Sequence, residues 1–424
     1  MMAGRPDGDA GGGDAVRVSA SPVAGHPTTA ILLAPTPASF SVVAGLPVIQ
    51  RAALSALRSG FASVIALGGP DPRRLRAVFA RDPRTRAIAV VSGEVGRMVT
   101  TDRVALIPSD CLVTPATLRR VQEASWNGRP WLFQASGPSA IGHGIVLCSR
   151  ESWRALDPGI DTTSAEAAAR IDPEPTSVFF EGELCLRIPD GSAAAAAEAR
   201  LVSDLRASTV DTDGPIARFD RALSIRLSRI LVKTSLRPNH ITTVGTLMGL
   251  SGAWSFARGT YAGGILGALL FWGAVILDGC DGEVARLTFQ ETRWGGVYDV
   301  ATDNLVHAAV FIGLGVGQYR SVPGWNYGRL IGLLLGGFAC ALIATYVCLL
   351  RHPPVARLRP RSLKGKVRQW LLRGFEALMN RDFAYALIPL ALIDRLGWFV
   401  WGAAFGTYAY AAGLAWVYRW RDAA

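Results

Sequence analysis

The stretch YAGGILGALLFWGAVILDGCDGEVARLTFQETRWGGVYDVATD, from Tyr261 to Asp303, decides how the rest of the chain is read. It opens as an apolar run and then places four carboxylates, Asp278, Asp281, Asp299 and Asp303, at the run's end and at the start of the next. Acidic residues inside or bordering membrane-spanning segments are costly, and are therefore functional candidates. Asp278 and Asp281 are spaced i, i+3, and Asp299 and Asp303 i, i+4; on helices both spacings put the pair on one face. Leu287 to Trp294 reads as a short turn between antiparallel neighbours. All four carboxylates then converge at one edge of an apolar layer.

Working outward, the apolar runs continue to about Trp420. Six spanning helices are expected, each judged against the ~20 residues that cross a ~30 Å hydrocarbon core: Ile241–Ala257, Tyr261–Asp278, Val297–Gly317, Leu330–Leu350, Phe383–Leu396 and Phe399–Val417. The fifth is short, with Asp394 and Arg395 breaking the run after it. Basic residues crowd the 351–381 connection (Arg357, Arg359, Arg361, Lys364, Lys366, Arg368, Arg373), and Arg419 and Arg421 lie in the tail. The positive-inside bias then predicts a multi-pass protein of the cell inner (plasma) membrane, with both termini and the aspartate cluster facing the cytoplasm. The net charge of +11 fits that bias, and nucleic acid is not expected as a partner.

Four domains are expected. Residues 1–29, rich in Gly, Asp and Ala, read as a disordered leader with no signal peptide. Residues 30–200 read as a soluble α/β domain: Ile31–Ala34, Ser63–Leu67, Ala87–Val91 and Arg103–Ile107 have strand length, with helical spacing over Pro47–Ser59, Asp71–Ala80 and Pro115–Ala124. Alternating strand and helix implies a mostly parallel sheet. Residues 201–237 form a linker and an interfacial helix over Ile216–Leu236. In it Arg218, Arg221, Arg226, Arg229 and Lys233 interleave with Phe219, Leu223, Leu227, Ile230 and Leu231. Residues 238–424 form the membrane domain, with a second interfacial helix over Val367–Met379. The six cysteines (Cys111, Cys148, Cys185, Cys280, Cys340, Cys348) have no metal-ligand spacing and read as reduced, buried thiols.

Four close anions cannot stay ionised without cations. Oxygen-only ligands call for a hard ion, Mg²⁺ or Mn²⁺, in a cluster of one or two, with two expected. Such clusters serve phosphoryl transfer. Gly282, Ala285 and Gly295 allow close approach of helices or of a nucleotide, and Arg286 can pair with phosphate oxygens. His307, one turn past Asp303, reads either as a proton relay or ligand or as a packed core residue.

The pattern Asp278-x-x-Asp281-Gly282-x-x-Ala285-Arg286, eight residues, Gly295, three residues, Asp299, three residues, Asp303 resembles the signature of the CDP-alcohol phosphotransferase (CDP-alcohol phosphatidyltransferase) family. The resemblance covers roughly Asp213 to the C-terminus and implies an α-helical integral membrane bundle. It implies that Asp278, Asp281, Asp299 and Asp303 ligate the metals and that Asp303 is the catalytic base on the acceptor hydroxyl. It further implies that Asp278, Gly282, Ala285, Arg286 and Gly295 hold the CDP moiety. Pro238-Asn239-His240-Ile241-Thr242 is similar to the family's PNxxT start of the first span, which adds Asn239 and Thr242 to the CDP site. Arg381-Asp382-Phe383 resembles an RDF segment in some members and makes Arg381 a candidate for binding the acceptor. The implied reaction transfers a phosphoalcohol, or phosphatidyl, group from a CDP-linked alcohol to a polyol or polyol-phosphate hydroxyl. CMP is released, the setting is phospholipid biosynthesis, and the protein is expected to be a homodimer.

Gly45-Leu46-Pro47-Val48-Ile49 echoes the opening of sugar-nucleotide and cytidylyl transferases, so the α/β domain resembles a nucleotidyltransferase. The arrangement resembles bifunctional inositol-phosphate cytidylyltransferase/phosphotransferase fusions. Where that fold grips a triphosphate with glycines and a basic residue, this chain reads Ala34-Pro35-Thr36-Pro37-Ala38-Ser39-Phe40, which implies a degenerate domain. Asp110 stands where such domains place a metal-binding aspartate. The donor reading adopted is CDP-diacylglycerol. A soluble CDP-polyol such as CDP-inositol, a non-catalytic scaffold and a divalent-cation transporter are the alternatives.

Overall fold

The computed structural model describes residues 27–92, 98–124, 126–135, 144–156, 164–172, 175–180, 185–207, 215–322, 327–351 and 383–419. Most of the expected leader, the 367–379 helix and Arg381 lie outside these. The chain divides into two compact units, Met1–Leu201 and Val202–Ala424.

The first unit is a three-layer α/β/α sandwich. Its seven-stranded sheet has the order β10-β8-β9-β6-β1-β4-β5. The strands are β1 (Thr28–Leu32), β4 (Ser63–Leu67), β5 (Ala89–Val91), β6 (Arg103–Ile107), β8 (Trp131–Ala135), β9 (Ile145–Ser149) and β10 (Thr176–Phe180). Two short antiparallel pairs flank it: β2 (Val42–Val43) with β3 (Leu46–Pro47), and β7 (Cys111–Val113) with β11 (Cys185–Arg187). Only β9 runs antiparallel to its neighbours in the large sheet. Strand side chains alternate between faces, so each strand feeds two cores. Ala30 and Leu32 join Leu75, Phe79, Leu118 and Val121 on one side. Ile31 and Leu33 join Trp153, Ala167 and Ala168 on the other. The covering helices are α1 (Val48–Ser59), α2 (Pro72–Ala80) and α3 (Pro115–Glu123) on the first face, and α4 (Arg150–Ala155) and α5 (Ser164–Ile171) on the second. Asp71 caps α2, accepting from the Arg74 amide at 3.0 Å, and Gly60 at φ 85° closes α1. The first strand begins at Thr28, two residues inside the stretch read as leader, because Thr28 and Thr29 are buried in the sheet.

Helix α6 (Gly191–Ala207) follows and carries the alanine run. The second unit is helical: α7 (Pro215–Leu231), α8 (Pro238–Ala257), α9 (Tyr261–Thr288), α10 (Arg293–Ser321), α11 (Tyr327–Arg351), α12 (Phe383–Leu392) and α13 (Leu396–Arg419). All six apolar runs are thus helical. Three, Tyr261–Thr288, Arg293–Ser321 and Tyr327–Val347, are long and apolar enough to cross a bilayer by length and composition. Helix α8 is less apolar because it is built to meet helices. A Cβ on Gly249 would lie 2.5 Å from a Val306 methyl of α10, and one on Gly252 would lie 3.0 Å from the Gly267 carbonyl of α9. From α10, a Cβ on Gly313 would lie 2.2 Å from the Ala253 carbonyl of α8.

Several boundaries differ from the sequence reading. Helix α9 continues through its polar end to Thr288, and α10 starts at Arg293, so only residues 289–292 turn the chain. Both aspartate pairs therefore sit well inside helices. Phe289, at φ 58°, ends α9, and Thr292 caps α10 by accepting from the Gly295 amide at 2.9 Å. Helix α7 stops at Leu231, five residues short of the expectation. Asp394, at φ 55°, sets the break between α12 and α13. Cys111, Cys148 and Cys280 are buried, as expected, and burial pushes the Cys148 thiol up to about 12. Cys340 is exposed on the helical unit, which corrects the reading that all six thiols are buried.

Candidate active site

The α8/α9/α10 packing fixes the site. Carboxylate oxygens of Asp278, Asp281 and Asp299 lie within 4.8 Å of one another. Two come from α9, one turn apart, and the third reaches across from α10. Asp281 is buried, and the Thr242 hydroxyl of α8 donates to its Oδ2. Asp303, one turn beyond Asp299, is outside that trio. It lines a cleft together with Asp278, Thr242, Thr246, Phe271 and Thr302. The four sequence-predicted aspartates are thus three clustered carboxylates and a fourth beside them in the cleft.

The donor chemistry fits a hard divalent cation. The donors are carboxylate oxygens alone, three anions share a small volume, and Asp299 Oδ1 is buried with no hydrogen-bond partner. An orphaned, desolvated carboxylate oxygen is unfavourable unless a positive charge faces it.

Of the residues read as nucleotide contacts, Thr242 bonds to Asp281, and the others lie on the same three helices, α8, α9 and α10. Arg286 is exposed and its guanidinium lies over Gly282, where a Cβ would sit 3.4 Å from Arg286 Nη1. Asn239 Oδ1 lies 3.5 Å from where a Cβ of Gly295 would be, so α8 and the first turn of α10 meet there. Ala285 is buried on α9. His307 Nδ1 lies 3.8 Å from Asp303 Oδ1, and its ring packs edge-on to Phe271 and beside Phe383, at 5.9 and 5.3 Å between centroids. Its Nε2 is buried and has no hydrogen-bond partner.

With this geometry in hand, residues 235–407 match the CDP-alcohol phosphatidyltransferase family. The helical unit carries a CDP-alcohol phosphatidyltransferase domain. Among curated relatives, the chain is 34% identical over 131 residues to a "Bifunctional IPC transferase and DIPP synthase" of Rubrobacter xylanophilus, covering 30% of this chain and 29% of that protein. It is 35% identical over 99 residues to the "Phosphatidylinositol phosphate synthase" of Mycobacterium tuberculosis, covering 23% of this chain and 44% of that protein. The matches therefore span less than half of either relative. Among solved structures, a nucleotidyl transferase from Methanothermobacter superposes with a TM-score of 0.34 at 14% identity, covering 42% of this chain and 99% of that one.

Sequence reasoning missed a second polar cluster in the CDP-alcohol phosphatidyltransferase domain. Glu283, 1% exposed, accepts from Ser224 and Ser228 of α7 at 2.6 and 2.8 Å. The i, i+4 serine pair on α7 and a glutamate in the aspartate-bearing stretch were the available signals.

In the first unit, Asp110 accepts from Arg187 Nε at 3.0 Å. The segment in place of a glycine-rich loop is a 3₁₀ turn over Pro37–Phe40. There Ser39 is fully buried, bonded to Ser109 at 2.9 Å, and Arg74 lies 4.1 Å over the Phe40 ring. Within the turn the Thr36 amide donates to Ser39 Oγ at 3.0 Å and the Ser39 amide to the Thr36 carbonyl at 3.1 Å.

Proposed function

We propose that the helical unit transfers a phosphoalcohol group from a CDP-linked alcohol to the hydroxyl of a polyol or polyol phosphate, releasing CMP. The observation that carries the reading is the trio Asp278, Asp281 and Asp299, with its unpartnered buried oxygen, set beside Asp303 in a cleft. Asp278, Asp281 and Asp299, with Asp303 adjacent, would hold one or two Mg²⁺ or Mn²⁺ ions. When bound, the cation supplies charge neutralisation at the diphosphate.

The rest falls to the chain's own side chains. Thr242 fixes Asp281 by donating to its Oδ2, so that carboxylate is pre-oriented. Arg286 and Asn239, both exposed, would receive the nucleotide's phosphates and base. Asp303 accepts the proton of the acceptor hydroxyl. The acceptor oxygen forms a bond to the phosphorus that bears the alcohol, and the bond from that phosphorus to the CMP oxygen breaks with its electron pair. His307 holds the far side of Asp303 inside an aromatic wall and leaves the open cleft on the substrate side.

We assign six bilayer crossings, α8 to α13, with the cluster and both termini on the cytoplasmic side of the cell membrane, as the basic 351–381 connection suggests. The domain division 1–29, 30–200, 201–237 and 238–424, and a homodimer, belong to the same reading. The α/β unit is assigned as a degenerate nucleotidyltransferase fold, supported by the Asp110–Arg187 pair and the packed Pro37–Phe40 turn. CDP-diacylglycerol is the favoured donor. The name of the Rubrobacter relative favours a second reading, a soluble CDP-polyol such as CDP-inositol.

Product analysis separates the two. Purified full-length protein is incubated with CDP-diacylglycerol or CDP-inositol and a panel of polyols and polyol phosphates. A lipid phosphodiester from the first donor is expected. A water-soluble polyol phosphodiester from the second would move the assignment to the soluble donor, and CTP turnover would overturn the degenerate reading of the α/β unit.

A further inference from the structure

The segment from Asp278 to Arg286 is read from two sides. Asp278, Asp281, Gly282 and Arg286 belong to the proposed site. Gly279, Cys280 and Glu283 alternate with them, and all three face α7. A Cβ on Gly279 would lie 3.2 Å from Ser224 Cβ, so glycine lets α7 approach here. The Cys280 thiol, fully buried, lies 3.2 Å from the Ile276 carbonyl of its own helix and 3.4 Å from the Ser224 carbonyl, and Ser228 Oγ lies 3.4 Å from the Cys280 carbonyl. Glu283 receives both serine hydroxyls, with Arg221 Nη1 3.9 Å from its Oε1.

On α7 the inward hydrogen-bonding groups, Asp220, Ser224 and Ser228, are spaced four apart and sit beside Leu227 and Leu231, which pack against the Ile241, Cys280 and Val284 cluster. Asp220 accepts from the Tyr385 hydroxyl of α12, so the stripe ties α7 to two helices. The opposite face exposes Phe219 and Ile230 with Arg226 and Lys233, as a helix lying at a lipid headgroup layer would. An amphipathic helix ordinarily turns apolar residues inward. Here Leu227 and Leu231 do so against the Cys280 and Val284 side of α9, and a buried carboxylate with two hydroxyls is set among them, an arrangement that satisfies only one register of α7 against α9.

We propose that Glu283 is a positioning residue that, through Ser224 and Ser228, locks α7 onto the back of the Asp278–Asp281 turn and so holds in place the helix face that carries these two carboxylates. The proposal rests on the reading of that cluster as the metal and donor site. Neither Glu283 nor the serines touch substrate; they act on the helix face behind it. Supports of this kind around metal ligands are worth about 10- to 100-fold in metal affinity or activity.

The test uses the full chain in phospholipid vesicles, comparing Glu283→Ala, Glu283→Gln and the pair Ser224→Ala with Ser228→Ala. Two quantities are read: the Mg²⁺ concentration that half-saturates CMP release, and the rate of maleimide labelling at Cys280, located by peptide mass mapping. The expected result is a half-saturating Mg²⁺ raised about 10-fold in Glu283→Ala and in the double serine variant, with partial rescue by Gln, which keeps one acceptor oxygen. Cys280 should be protected in the wild type and labelled in those two variants. The double serine variant retains the carboxylate, so it decides the matter if Glu283→Ala does not fold. An unchanged half-saturating Mg²⁺, even with lowered thermal stability, would reduce Glu283 to a structural residue and overturn the proposal. So would a Cys280 that stays protected in the double variant. A wild type that releases no CMP would fail the functional reading instead, and the labelling data would still judge the α7 contact.

Discussion

Gly249→Ala tests how tightly the helix packing controls the site. A Cβ at Gly249 would lie 2.5 Å from Val306 Cγ1, 3.1 Å from Cγ2 and 3.4 Å from Cβ. Val306 is buried and, being β-branched on a helix, has one strongly preferred rotamer, so it cannot swing aside cheaply. Going from 2.5 Å to the 3.4 Å of an ordinary contact takes about 0.9 Å, and α10 has to supply most of it. Val306 and Asp303 are one turn apart on α10 and line the same cleft, so the displacement carries Asp303 with it. Overpacking costs about 1–3 kcal/mol, and alanine returns about 1 kcal/mol of helix propensity over glycine. Stability therefore falls by at most about 2 kcal/mol, while a misplacement near 1 Å costs on the order of 100-fold in rate. The assay is CMP release beside thermal unfolding, with Gly406→Ala, where a Cβ meets nothing within 4 Å, as the control. A Gly249→Ala protein with wild-type turnover would refute the reasoning, because the α8–α10 spacing would then not set the site.

Three further outcomes follow from the same geometry. Asp303→Asn removes the proton acceptor with little change in shape; turnover should fall roughly 10²- to 10⁴-fold with the unfolding temperature and donor binding retained. Chelation of divalent ions should stop CMP release and readdition of Mg²⁺ or Mn²⁺ restore it, with Asp299→Asn needing more metal; activity in full chelator would contradict the carboxylate trio's role. In the α/β unit Arg51, 2% exposed, donates to the Val43 and Ala44 carbonyls at 2.6 and 3.2 Å, and burial brings its pKa down to about 10 against the opposing charge of Glu198. Arg51→Met removes the buried cation facing Glu198 and the donor to two carbonyls and should cost about 3–5 kcal/mol, read as a lowered unfolding transition of the full chain.

The site was legible because its spacing is local: i, i+3 and i, i+4 carboxylates on two consecutive helices meet once the connection is short. The β1, β4, β5 and β6 strands were legible for the same reason, as apolar runs of strand length between helical spacings. What could not be read was long-range. Strands Trp131–Ala135, Ile145–Ser149 and Thr176–Phe180 join the sheet by pairing with distant partners, and β9 runs antiparallel without a local cue. The turn read over Leu287–Trp294 narrows to residues 289–292, because helical hydrogen bonding runs past the end of the apolar stretch to Thr288. The inward stripe Asp220, Ser224, Ser228 on α7 carries no local cue to its role. Its partners, Glu283 and Tyr385, lie 55 to 165 positions away.

The central claim, that the carboxylates of α9 and α10 transfer a phosphoalcohol group from a CDP-alcohol, is tested most directly by CMP release from purified full-length protein. CDP-diacylglycerol and CDP-inositol are each supplied with a polyol-phosphate acceptor, with and without Mg²⁺, in the wild type and Asp303→Asn. Metal-dependent CMP release by the wild type, lost in Asp303→Asn with its fold retained, is the predicted result. CMP release that persists in Asp303→Asn, or no release from either donor by folded protein, would contradict it.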